Sequence, residues 1–108
     1  MDSEFSVALG RASTNLRRLS YWFLLPQPGP ASQRVGVTWV QTKGLLSKEP
    51  KMSHQNPLYQ HLERLRVQFL DLECLRDPQE KAEAALYLST RLLNLSQILA
   101  NLNIPVCL

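Results

Sequence analysis

The chain has 108 residues, 12 of them basic and nine acidic, for a formal net charge of +3. That length holds one small domain. The longest apolar run, Tyr21–Leu25, falls far short of the roughly 20 residues that cross a bilayer. The two cysteines, Cys74 and Cys107, lie far apart, with no Cys-x-x-Cys and no histidine at metal-ligand spacing. A disulfide framework and a zinc site are therefore not expected, and a reducing, intracellular, cytoplasmic setting is.

Charge and composition divide the chain. Residues 1–51 carry seven basic and three acidic residues; residues 52–108 carry five and six. All four glycines precede residue 52, and 14 leucines follow it. The polar stretch 48–57, broken by Pro50 and Pro57, reads as a linker. The expected organisation is a weakly ordered basic segment over 1–55, a helical domain over 56–104 and an apolar tail over 105–108. Met52 opens a second possibility, that residues 1–51 are a dispensable extension.

In the first segment, Phe5, Leu9, Ala12, Leu16, Leu19 and Phe23 recur at alternating steps of four and three. This spacing predicts an amphipathic helix over about residues 4–25. Pro26, Pro28 and Pro30 should end it. The alternation of Val35, Val37 and Trp39 with Gly36, Thr38 and Val40 suits a short strand. Residues 26–57 are otherwise expected to be irregular. Arg17-Arg18-Leu19-Ser20 matches the pattern that basophilic kinases recognise, which makes Ser20 a candidate phosphosite. The same Arg- and Ser-rich stretch also suits an organelle-import segment, although Asp2 and Glu4 are unusual for one.

The second segment is more strongly patterned. Asn56-Pro57 supplies a cap acceptor and a first-turn proline. Leu58, Leu62, Leu65, Phe69 and Leu72 then define one face of a helix over about 57–75. Glu63 can pair with Arg66, and Glu73 with Arg76, across three residues. Asp77-Pro78-Gln79-Glu80 has the form of a capping box and starts a helix over about 78–102. Its main seam is Ala85, Leu88, Leu92, Leu95, Leu99 and Leu102. The short connection should fold the two helices back antiparallel. The predicted fold is all-α: a coiled-coil-like two-helix hairpin, open to completion as a three- or four-helix bundle.

Apolar residues exceed what one seam requires. Val67, Leu70 and Cys74 form a second stripe on the first hairpin helix. Leu86 and Leu93 lie beside the main seam of the second, and Ile98 on its other flank. The second helix is the longer, and its overhang and tail carry Leu102 and Ile104. These eight are the candidate partner-binding residues. The predicted function is a protein–protein interaction module with a protein partner or a second copy of itself. The alternative is an anionic membrane or nucleic acid held by the basic N-terminal helix. No catalytic constellation is present: His54 and His61 have no ligand partner at helical spacing, and there is no Gly-rich phosphate loop or nucleophile motif. No enzyme activity, cofactor or small-molecule substrate is expected. Asn94-Leu95-Ser96 matches a glycosylation sequon but falls inside a predicted helix.

Overall fold

The computed structural model describes the backbone of residues 3–25 and 30–103, with side chains described for 4–25 and 33–101. It contains four helices: α1 (Ser3–Phe23), α2 (Pro30–Leu46), α3 (Pro57–Cys74) and α4 (Pro78–Asn103). No strand occurs among the described residues. The helices pack together, α1 on α4 most extensively, α2 on α1 and α3 on α4.

α3 and α4 pack together and bury their main apolar stripes. Leu62, Leu65, Phe69 and Leu72 of α3 and Ala85, Leu88, Leu92 and Leu95 of α4 are each no more than 2% exposed. Each fully buried Leu or Phe contributes about 1.5–3 kcal/mol relative to exposure. Local chemistry sets the helix starts. The Asn56 side chain accepts from the Leu58 N–H at 2.9 Å, and Pro57 occupies the first turn. At α4 the Glu80 N–H reaches Asp77 Oδ2 at 3.4 Å, a long capping bond.

The same core extends to α1. Phe5, Leu9, Ala12, Leu16 and Leu19 are buried and continuous with the α3–α4 leucines. The predicted apolar stripe of the first helix is therefore internal, and α1 packs as part of the same core. α4 is eight residues longer than α3, 26 against 18. The extra length is covered by α1, so Leu99 near its far end is only 7% exposed.

The contact between α1 and α4 is polar and close. Ser6, Ser13 and Ser20 recur every seventh residue on α1; Ala82, Ser89 and Ser96 do so on α4. Ser6 Oγ donates to the Ser96 carbonyl at 3.2 Å, and Ser96 Oγ returns a bond to the Ser6 carbonyl at 2.7 Å. Ser13 Oγ donates to the Ser89 carbonyl at 2.8 Å and Ser89 Oγ to the Ser13 carbonyl at 2.9 Å. Ser20 Oγ donates to the Ala82 carbonyl at 2.8 Å. The register runs antiparallel, since rising numbers on α1 meet falling numbers on α4. A hydroxyl bonding across to a main-chain carbonyl requires near-touching backbones, which only small residues permit. No buried side-chain nitrogen or oxygen among the described residues lacks a partner, so these serines carry no desolvation penalty without compensation.

The region expected as a short strand is helical instead. α2 spans Val35, Val37, Trp39 and Val40, despite β-branched residues and glycines that disfavour helix locally. Tertiary packing decides the matter. Thr38, Thr42 and Leu46 recur at every fourth residue and are buried, with Val35, Trp39 and Leu45 partly buried beside them. Thr42 Oγ1 donates to the Thr38 carbonyl at 2.7 Å, which satisfies the hydroxyl inside the helix. A lone strand here would have left its ladder groups unpaired.

Side chains join α2 to α3. The Trp39 ring stacks on Phe69 at 4.4 Å, and its Nε1–H donates to Glu73 Oε1 at 2.9 Å. Lys43 Nζ lies 3.6 Å from the same carboxylate oxygen. Glu73 thus serves α2, where Arg76 had been expected as its partner. Arg66 is the main tie. Its Nε donates to the Leu46 carbonyl at 2.8 Å and its Nη2 to the Lys48 carbonyl at 2.5 Å, capping the end of α2. Its Nη1 meets Glu63 at 2.6 Å, the expected pair, and Glu49 at 3.1 Å.

Candidate interaction surfaces

No group of three or more His, Cys, Asp or Glu able to hold a metal exists among the described residues. His54 stacks on Tyr59 at 4.4 Å, and His61 is half-buried on α3. The perturbed titrating groups belong to the α2–α3 connection. A hydrogen bond from Tyr59 holds the Glu49 carboxyl below its ordinary 4.5, and Arg66 adds to this. The same bond, at 2.8 Å, raises the Tyr59 hydroxyl above its ordinary 10.0. Burial works against the Arg66 charge, but its contacts with Glu63 and Glu49 outweigh that and raise it. These interactions fasten the connection between α2 and α3.

The candidate partner-binding residues separate into three groups. Val67, Leu70 and Cys74 stay together on the outer face of α3; Val67 is 55% and Leu70 51% exposed, and Cys74 is an exposed free thiol. On α4 the candidates disperse. Leu86 and Ile98 are exposed, Leu93 is half-buried, and Ile98 falls on a different side of the helix. Ala82, on the flank of that seam, is buried under Ser20. The side chain of Leu102, Ile104 and the tail 105–108 lie outside the described residues. Ser20 is buried with its hydroxyl bound, so the folded chain does not present it to a kinase.

A further surface was not expected from the sequence. Along α1 and α2 runs an open groove of about 720 Å³. Its lining includes apolar Val7 and Leu45, the three cations Arg11, Arg18 and Lys48, and Gly44. Among the described residues none of these cations forms an ion pair. The sequence concealed this groove because its two walls come from helices more than 20 residues apart, one of which read as a strand. The only sequence signal was the excess of basic over acidic residues before residue 52.

Compared with protein-family models, with curated proteins and with solved structures, the chain matches none. No helix among the described residues is long and apolar enough to cross a membrane.

Proposed function

We propose that the chain is a small helical protein–protein interaction module that docks its partner through the outer face of α3. One observation carries this reading. α3 buries Leu62, Leu65, Phe69 and Leu72 in the core, yet keeps Val67, Leu70 and Cys74 as a second stripe in water. These three follow at steps of three and four, the spacing with which one helix face meets a partner. The core cluster does not include them. The basic-helix alternative has less support, because the apolar face of α1 that a membrane would take up is already the core.

Leu70→Glu in the full chain tests this. Helix content and melting should be unchanged, because Leu70 is in water in the free protein. Association should be lost, because the complex would bury an unpaired carboxylate. Light scattering reads self-association, and a photo-crosslinking residue at position 67 reads a different partner as one discrete adduct. The reading fails if Leu70→Glu melts like a core variant. It fails equally if the wild-type chain shows neither self-association nor a discrete adduct.

A further inference from the structure

The α1–α2 groove has a charge and a lining that together specify an occupant. We propose that it binds an acidic amphipathic helix, laid along the groove with carboxylates two turns apart. The inference rests on the reading of the chain as a protein-binding module but uses a surface separate from the α3 stripe.

Charge gives the sign of the occupant. Between residues 3 and 48 the acid is Glu4 alone, against Arg11, Arg17, Arg18, Arg34, Lys43 and Lys48. Among the described residues Arg11, Arg18 and Lys48 form no ion pair; Glu4 lines the adjoining pocket beside Arg11 and Lys48, so cations outnumber the acid along this surface. Glu63, Glu73 and Glu49, by contrast, are engaged with Arg66 or Lys43. Arg11 and Arg18 stand seven residues apart on α1, which is two turns and about 10 Å along the axis. Carboxylates at i and i+7 of a second helix have the same spacing.

Gly44, among the lining residues, sets how closely a neighbour can approach. Gly44 sits inside α2, where glycine costs about 1 kcal/mol relative to alanine. A Cβ added there would meet nothing within 4 Å, so internal packing gives no reason for the glycine. A bare backbone lets a neighbouring helix settle lower between α1 and α2. Val7, 53% exposed, and half-buried Leu45 would then meet apolar residues between the partner's carboxylates.

The lining discriminates among anions. Single-stranded nucleic acid is held by aromatic side chains on which bases stack, and no aromatic residue lines this groove. A lipid surface is flat, whereas this surface is concave. A helix with carboxylates on one face and leucines beside them fits both the cations and the apolar lining residues.

The full-length protein should bind a labelled helical peptide of about 20 residues carrying Glu at every seventh position and Leu three residues after each Glu. Fluorescence anisotropy reads the affinity. Arg11→Glu with Arg18→Glu, checked for unchanged helix content and melting, should weaken binding by at least about tenfold. Replacing the peptide's Glu by Gln should do the same, and binding should fall as salt rises. Leu70→Glu should leave this binding intact, which keeps the groove distinguishable from the α3 face. Two parallel arms use oligo-dT and phosphatidylserine vesicles. Tighter binding of either than of the peptide, lost in the same double variant, would overturn the acidic-helix assignment. Absence of peptide binding, or binding indifferent to the two arginines, would overturn the site.

Discussion

The two faces of α4 are held by opposite chemistries. Toward α3 it offers leucines, and a seam of Leu62, Leu65, Phe69, Leu88, Leu92 and Leu95 excludes water. Toward α1 it offers Ala82, Ser89 and Ser96, each hydrogen-bonded to α1 at a main-chain carbonyl or a serine hydroxyl. The leucine face tolerates variation in volume and is driven by area removed from water. The serine face depends on distance: its hydroxyls reach across only because nothing larger intervenes. A helix can therefore have one face that specifies stability and another that specifies closeness and register.

Deleting residues 1–51 would break this comparison most severely. The leucine face alone reads as a self-contained hairpin, but α1 shares its core and satisfies the serines. Residues 52–108 alone should lose most of their helix content by circular dichroism under conditions where the full chain is folded. Retention of nearly all the helix would show the α1 face to be an accessory.

Point substitutions on the two faces should differ in kind. Leu92→Ala opens a cavity at a position with no exposure and should cost about 2–5 kcal/mol in chemical denaturation. Ser89→Leu should cost about 1–3 kcal/mol by forcing the helices apart, and Ser89→Ala less, since alanine keeps the approach and loses only hydrogen bonds. If Ser89→Leu is neutral, the close approach is not a requirement of the fold.

The smallest effect concerns the α2–α3 connection, where pH should act. The Glu49 carboxyl is lowered in the folded chain, so its contribution is present above about pH 4.5 and lost as pH falls through the lower folded value. The Tyr59 hydroxyl is raised, so its contribution is present below about pH 10 and lost as pH rises through the higher folded value. Amide protection over residues 47–56, taken relative to the intrinsic exchange rate at each pH, should therefore fall at both extremes. Tyr59→Phe should remove the alkaline limb and Glu49→Gln the acid one. Unchanged profiles in both variants would mean that Arg66 fastens the loop without them.

Legibility followed the type of signal. Asn56, Pro57 and Asp77 are local signals, and the starts of α3 and α4 could be read from them directly. Leucine periodicity identified the buried face of three helices. The serines repeat just as regularly, yet a serine every seventh residue is also what a solvated face looks like. Only a partner at the same spacing turns it into an interface. α2 was misread because valine, threonine and glycine have strand or turn preferences of their own, and those preferences span about 1 kcal/mol per residue at most.

The sequence by itself determined the all-helical character of the second half, the faces that α1, α3 and α4 bury, and the proline and asparagine positions where α3 and α4 begin. These depend on neighbours within a few residues, through caps, excluded φ values and a period of 3.6. Only the tertiary structure decided that residues 30–46 are a helix, that α1 is core, that Ser20 is an interface residue and that Arg11, Arg18 and Lys48 share one groove. Each of these follows from which distant surface covers which, and burial of a whole face outweighs the local preference of any single residue.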